Sequence, residues 1–77
     1  MAKVKIIQKR LLGFNGEAWL VKKGKKYFVV SGTSVISSGW EVLVFPATKD
    51  GEVTDWMQVC GGRDITHEEA INKLEVI

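Results

Sequence analysis

The length, composition and charge of the chain limit what it can be. With 77 residues, 45% of them hydrophobic and 26% charged, it has the composition of one small globular domain over 1–77 and not of a disordered segment. A domain of this size buries only about 60–65% of its unfolded surface, so a deep active site would remove core that the fold needs. We therefore expect no enzymatic activity and no cofactor.

Cysteine usage and the lack of long apolar runs indicate a compartment. Cys60 is the only cysteine, so neither a disulfide nor a thiolate metal cluster can form within one chain, and we expect no bound metal. The first ten residues are too charged for a signal peptide. No stretch approaches the roughly 20 apolar residues that span a bilayer. The sequence predicts a cytoplasmic protein that does not bind membranes.

Charge is distributed unevenly along the chain. Residues 1–26 contain eight basic residues and one acidic residue, whereas residues 27–77 contain three basic and eight acidic residues. If the first hairpin stays together in the fold, one end of the molecule is basic and the other is acidic. Such a dipole steers and orients the encounter with a partner.

The N-terminal half has the pattern of three antiparallel strands. Val4 and Ile6 alternate with Lys3 and Lys5, which predicts a strand at about 3–12, and apolar runs bounded by turn residues predict strands at about 17–23 and 25–31. In the first strand the alternation slips at Ile6-Ile7, which indicates a bulge. The second strand carries Trp19 and Val21 on one face, and Ala18 and Leu20 on the other.

Tight turns connect these strands. An Asn-Gly dipeptide at 15–16 supplies the positive φ angles of a hairpin turn, and a Lys-Gly dipeptide at 23–24 turns the chain again. Aromatic pairs across the second turn stabilise a sheet by about 0.2–1 kcal/mol each. The predicted pairs are Lys22 with Lys25 and Trp19 with Phe28.

The segment 31–39 mixes residues typical of strands and of loops. Two interpretations stay open: the third strand continues through a bulge at Gly32 to Ile36, or the segment is a surface loop. Trp40 follows a serine-rich stretch. It either anchors the core at the start of a strand or forms, with the serines, an exposed recognition surface.

A second hairpin is predicted around the strongest turn of the chain. An Asp-Gly dipeptide at 50–51 favours a type I′ turn between strands at about 40–47 and 52–60. Pro46 cannot donate to a ladder and therefore belongs near a strand end or at an edge. A Gly-Gly dipeptide at 61–62 ends the fifth strand. The predicted pairs are Val44 with Met57, Val42 with Val59 and Phe45 with Trp56.

The C-terminal segment predicts a helix at about 66–76. Thr66 and Glu69 have the spacing of a capping box. An apolar stripe follows at helical spacing, formed by Ala70, Ile71, Leu74 and Ile77. The fold class is therefore α+β: a curled antiparallel sheet of four or five strands, arranged as a meander, with the helix packed on one face.

Catalytic chemistry has one candidate constellation. Cys60, Asp64 and His67 are the residue types of a nucleophilic triad. Nothing in their spacing forces the side chains to meet. We favour the alternative, a buried thiol at a strand end and a solvated imidazole in the first helical turn, and therefore name no catalytic, cofactor-binding or metal-binding residue.

The basic N-terminal hairpin is the strongest indication of a binding surface. Lysines with this spacing can contact several phosphates of a nucleic acid, with exposed aromatic rings stacking on bases. Alternatively, lysines at hairpin tips and edges simply keep a sheet soluble. The nucleic-acid candidates are Lys3, Lys5, Lys9, Arg10, Lys22, Lys23, Lys25 and Lys26. The candidates for contacting a protein partner are Lys22, Lys23, Lys25, Lys26 and Trp40.

The second half of the chain carries three short motifs. They are Glu-Val-Leu-Val-Phe-Pro-Ala at 41–47, Gly-Glu-Val-Thr-Asp-Trp at 51–56 and Thr-His-Glu-Glu-Ala at 66–70. This pattern resembles short phage- and prophage-encoded proteins of unassigned function, over roughly residues 28–71. The resemblance implies a small accessory protein that acts inside a bacterial host by binding a host protein. It implies no activity.

We therefore expect a non-enzymatic protein-interaction module, of the phage accessory or host-inhibitor type. Its partner would be a host or phage protein, and exposed strand edges would allow a homodimer or the addition of a partner strand. The alternative is a small nucleic-acid-binding protein that uses the basic hairpin.

Overall fold

The computed structural model describes residues 3–9, 17–35 and 39–77, which form an α+β fold. Within these residues, five antiparallel strands make one sheet that is not closed, with each strand beside the next one along the chain, and a single helix follows them. The predicted fold class and meander are confirmed. The elements are β1 (Val4–Gln8), β2 (Glu17–Lys23), β3 (Lys26–Val35), β4 (Gly39–Ala47), β5 (Cys60–Arg63) and α1 (His67–Glu75).

The first strand is shorter than predicted and contains the predicted bulge. Strand β1 ends at Gln8, while residues 10–12 and the turn at 15–16 lie outside the described part of the chain. Ile6 pairs with Val21, but the next pair is Gln8 with Leu20. Ile7 is thus the extra residue of the bulge. Because of it, Gln8 lies on the opposite face of the sheet from Ile6.

The turn between β2 and β3 lies one residue later than predicted. Lys23 pairs with Lys26, so the turn residues are 24–25 and not 23–24. Gly24 has a φ of +61°, and it takes this left-handed conformation without the steric penalty of a Cβ atom. The observed pairs are Lys22 with Tyr27, Val21 with Phe28 and Trp19 with Val30. They replace the predicted pairs Lys22–Lys25 and Trp19–Phe28.

Strands β3 and β4 form the longest ladder of the sheet. Pairing runs without interruption from Tyr27 with Ala47 to Val35 with Gly39. The third strand therefore continues well past residue 31, and it passes Gly32 without a bulge. A Cβ atom at Gly32 would overlap the Trp40 ring, so this position of the ladder requires glycine.

The fifth strand is not the one predicted at 52–60. After the turn at 50–51 the chain makes one isolated bridge, Ala47 with Val53, and rejoins the sheet only at Cys60. The glycines at 61–62 lie inside β5 and do not end it. Val44 pairs with Cys60 and Val42 with Gly62, which replaces the predicted partners Met57 and Val59.

Gly61 gives the physical reason for this register. Its φ is +149°, and a Cβ atom there would overlap the Val42 carbonyl oxygen and lie 3.0 Å from the Leu43 Cα atom. Only glycine lets β5 approach β4 this closely. The sheet therefore takes the short glycine-containing segment as its edge strand.

The helix has the predicted cap. The Thr66 hydroxyl accepts a hydrogen bond from the Glu69 N–H at 3.1 Å, and Glu69 Oε1 accepts from the Thr66 N–H at 3.2 Å. This capping box and the C-cap at Val76 account for the ends of the predicted range 66–76. Of the predicted stripe, Ala70, Ile71 and Leu74 are buried, whereas Ile77 is exposed.

Apolar side chains are buried on both faces of the sheet. The larger core lies under the helix, where Trp19 and Val21 meet Leu74. The smaller core lies on the opposite face, where Ala18, Leu20 and Val29 are buried and partly covered by Tyr27, Ala47 and Val53. The predicted distribution of β2 residues between the two faces is confirmed.

The helix also contacts both outer strands. Glu75 Oε2 accepts a hydrogen bond from the Val4 N–H of β1 at 3.1 Å. Lys73 Nζ donates to the Gly61 carbonyl oxygen of β5 at 3.3 Å. One short helix therefore binds a backbone group at each margin of the sheet. Within the described ranges, no helix has the length and apolar character needed to cross a membrane.

Candidate functional site

A groove opens between the end of the helix and the β2–β3 turn. Its volume is about 580 Å³, inside the range of about 300–1,000 Å³ that is typical of ligand sites. Leu74 and Phe28 belong to the core, so they give the groove a fixed floor. Val59 and Ile77 are 42% and 67% exposed and form its outer wall. Tyr27, Pro46 and Ala47 also line the groove.

Three of the predicted partner-binding lysines line this groove, but they have different environments. Lys23 Nζ donates to the Leu74 carbonyl oxygen at 2.8 Å and to the Ile77 carbonyl oxygen at 2.7 Å. It therefore caps the helix end, where carbonyl groups favour a cation. Lys25 and Lys26 are exposed at the turn and the start of β3. The charge offered to a ligand thus comes from Lys25 and Lys26.

The remaining basic candidates that the structure describes do not line the groove. Lys5 pairs with Lys22 across β1 and β2, on the face opposite the helix. Lys22 Nζ lies 5.3 Å from the centre of the Tyr27 ring, and Lys9 Nζ lies 4.6 Å from the Trp19 ring. Lys3 is exposed ahead of β1, and Arg10 lies outside the described residues.

The aromatic residues near these lysines are poor platforms for bases. Trp19 and Phe28 are both buried, since their rings form part of the core under the helix. Tyr27 is half-buried and has Lys22 over its ring. Trp19 and Phe28 therefore do not offer the exposed ring face that stacking on a base requires.

Trp40 belongs to an aromatic cluster with the buried imidazole of His67. The His67 ring stacks on Trp19 with centroids 4.5 Å apart and lies 6.2 Å from the Trp40 ring. His67 is only 5% exposed, so the predicted solvated imidazole is wrong. Trp40 is half-buried and packs against the core, which favours the anchoring role over that of a fully exposed recognition residue.

The predicted triad residues have separate contacts. The Cys60 thiol donates to the Ala70 carbonyl oxygen at 3.9 Å, whereas His67 lies against Trp19 and Asp64 donates its backbone N–H to the Trp40 carbonyl oxygen. Burial raises the pKa of the Cys60 thiol, against a smaller lowering effect of Lys73 and Lys23. A thiol with a raised pKa is a poor nucleophile at neutral pH.

Metal-binding groups are also dispersed. Among residues 3–9, 17–35 and 39–77, no three His, Cys, Asp or Glu side chains form a group that could hold a metal ion.

A second surface feature follows the turn at 50–51. Residues 52–59, here called the acidic segment, expose Trp56 and Met57 to 69% and 76%. The carboxylates of Glu52 and Asp55 are exposed beside them. The Trp56 ring meets Phe45 edge-on, with centroids 5.3 Å apart. The predicted pairing of Phe45 with Trp56 in a ladder is therefore wrong, although their rings are in contact.

The lysines of the site were predictable from the sequence, whereas the groove was not. The groove walls come from β3, β4, the acidic segment and the helix end, so no local pattern marks them. One indication was available: Ile77 lies at the end of an apolar helical stripe, beyond the residues that the sheet covers.

Comparisons with protein-family models, with curated proteins and with solved structures found no match to this chain. The resemblance to short phage-encoded proteins therefore stays a prediction from the sequence motifs.

Proposed function

We propose that this chain is a protein-interaction module whose groove binds an apolar segment of a partner that carries acidic side chains. The observation that supports this most directly is the combination of an apolar groove of about 580 Å³ with two exposed lysines beside it. An apolar floor contributes affinity through burial, and charges at the edge select partners of opposite sign.

The different environments of the three groove lysines indicate which chemistry the partner should have. Lys23 is engaged by two carbonyl oxygens of the helix end, and its charge is partly offset there. Lys25 and Lys26 follow Lys23 in the chain and are exposed. They therefore create a positive potential in the solvent around the β2–β3 turn. A partner segment with carboxylates flanking two or three apolar side chains matches this surface.

The setting that we propose is the cytoplasm of a bacterial host, and the partner class is a host or phage protein. The single cysteine and the phage-like motifs of the second half support this setting. The affinity expected for so small a site is modest, with a Kd of about 1–100 µM.

The test uses labelled peptides of defined chemistry. One set places glutamates around a Leu-Trp-Leu centre, and the matched set places lysines around the same centre. Fluorescence anisotropy should show binding of the acidic set only. Replacement of Lys25 and Lys26 by glutamine should weaken that binding about fivefold to tenfold. Equal binding of both sets contradicts the proposal.

A matched control is available in the turn before the acidic segment. Lys49 is exposed and does not line the groove, so Lys49→Gln should leave binding unchanged. Chemical shift changes in an NMR titration should be concentrated at Phe28, Val59 and Leu74. Shifts concentrated on the opposite face, around Val29, would place the peptide elsewhere and overturn the groove as the site.

The second candidate function is nucleic-acid binding, and one observation favours it. Lys5 and Lys22 stand directly opposite each other in the sheet. Like charges in such a pair destabilise a sheet, and a phosphate between them would offset the repulsion. In a gel-shift experiment, binding should fall steeply with salt and should be weakened by Lys5→Gln with Lys22→Gln. Absence of any shift at about 50 mM salt contradicts this function.

A further inference from the structure

We propose that the partner recognised by the groove is a second copy of this chain, whose acidic segment, residues 52–59, occupies it. This inference rests on the proposed function, because it names the partner of the same groove. Trp56 and Met57 are the most exposed large apolar side chains among the described residues, and the exposed Glu52 and Asp55 precede them along the chain. The acidic segment contains no basic residue. It therefore has the chemistry that the groove with its two lysines selects.

The acidic segment is held as a protrusion at the edge of the sheet. The Thr54 N–H donates to the Pro46 carbonyl oxygen, and the Val59 N–H donates to the Val44 carbonyl oxygen. Between these two anchors, the Met57 N–H donates to Asp55 Oδ1 at 2.9 Å. A segment fixed in this way loses little conformational entropy when it binds, so it is organised in advance for docking.

The positions of Val59 and Trp56 keep the acidic segment out of the groove of its own chain. Val59 already forms part of the groove wall, while the Trp56 ring contacts Phe45, which pairs with Val29 of the opposite core face. Trp56 would have to leave Phe45 to turn into the groove. A second copy can place its acidic segment in this groove while its own Trp56 stays against Phe45 and its own Val59 stays in the groove wall.

Groove and segment adjoin each other, and this favours a closed pair. Val59 belongs to both features, so a two-fold arrangement can place each acidic segment in the groove of the other copy. Such a pair satisfies both binding sites and leaves none open for further growth. It also brings Glu52 and Asp55 of each copy towards Lys25 and Lys26 of the other, in agreement with the uneven charge of the chain.

Sedimentation equilibrium of the full chain tests this inference. We expect a reversible dimer with a Kd of about 1–100 µM. Met57→Gln should raise this Kd at least about tenfold, because it removes an apolar anchor from the contact. Ile7→Gln is the matched control, since Ile7 is also exposed and apolar but lies in β1, and it should leave the Kd unchanged.

Reversed charges give the sharper test. Lys26→Glu and Glu52→Lys should each weaken self-association, because like charges then meet in the contact. An equimolar mixture of the two variants should associate again, since each copy then supplies the complement of the other. Mass photometry or sedimentation velocity with one labelled variant detects the mixed dimer.

The outcomes separate this inference from the proposed function. A wild-type chain that stays monomeric up to about 500 µM overturns self-association, and so does a dimer that none of the variants weakens. If the acidic peptides of the earlier experiment still bind the groove of that monomer, the proposed function stands and its partner is a different protein. If neither association nor peptide binding occurs, both proposals fail.

Discussion

The hairpin around residues 24–25 and the chain after residues 50–51 start from similar turns and end differently. Gly24 and Gly51 both have positive φ angles, +61° and +88°. After Gly24 the chain pairs with β2 from Lys26 to Gly32 and with β4 from Tyr27 to Val35. After Gly51 it makes one bridge and then projects from the sheet until Cys60.

The difference shows that a turn reverses the chain but does not determine the strand that follows. In β3, Phe28 and Val30 are buried under the helix while Val29 is buried on the other face, so pairing removes apolar area from water on both sides. In the acidic segment Val53 packs against the smaller core, whereas Trp56, Met57 and Val59 stay exposed. Strand β3 pairs and contributes to stability, whereas the acidic segment makes only one bridge and keeps these exposed side chains available for binding.

The strongest test of the stable region is Leu74→Ala. Leu74 is 1% exposed and packs in the core under the helix. Its truncation should lower the free energy of unfolding by about 2–5 kcal/mol, through lost transfer energy and the cavity left behind. Val76→Ala, next to the same helix and exposed, should change it by less than about 0.5 kcal/mol. Guanidinium denaturation followed by tryptophan fluorescence measures both, and equal effects would contradict the packing described.

The register of β5 is tested by two adjacent glycines. Gly61→Ala should destabilise the fold by about 3 kcal/mol, because its Cβ atom meets the β4 backbone and its φ is positive. At Gly62 the nearest atoms to an added Cβ lie 3.4 Å away, which is ordinary contact. Gly62→Ala should therefore change the free energy of unfolding by less than about 1 kcal/mol. A harmless Gly61→Ala would mean that β5 is not held against β4.

The helix cap provides an intermediate effect. Thr66→Ala removes the hydroxyl that accepts from the Glu69 N–H and should cost about 1 kcal/mol of stability. Thr66→Ser keeps the acceptor and should restore most of the loss. The measurement is thermal unfolding followed by circular dichroism. A serine variant as unstable as the alanine variant would show that the hydroxyl hydrogen bond is not the cause.

The smallest stability effect is expected in the acidic segment. Met57→Gln changes the most exposed large apolar side chain among the described residues, and the free energy of unfolding should shift by less than about 0.5 kcal/mol. The variant should nevertheless lose self-association, as argued above. A large stability loss with association intact would reverse the roles that we assign to the two regions.

The parts of the fold that depend on local patterns were predictable from the sequence. Alternation placed Trp19 and Leu20 on opposite faces of β2, and the capping box located the start of the helix. The fifth strand was not predictable in this way. The Asp-Gly turn at 50–51 predicts a strand at 52–60 opposite β4, but the close approach that Gly61 permits decides which segment pairs with β4.

The candidate site was predictable only in part, for a similar reason. The cluster of lysines around the turn is visible in the sequence, but a one-residue difference in turn position decides their roles. It places Lys23 beside the helix carbonyl oxygens and leaves Lys25 and Lys26 exposed. The burial of His67 depends on the space beside Gly32, which only the packed structure reveals.

The contacts of the helix with Val4 and Gly61 have a consequence for biosynthesis. The helix follows the five strands along the chain, so a sheet that forms before the helix docks has unpaired backbone groups at both of its margins. Until Glu75 and Lys73 arrive, those margins offer hydrogen-bonding groups to any neighbouring polypeptide. The interval before the helix docks is therefore the stage at which this protein is most prone to aggregate.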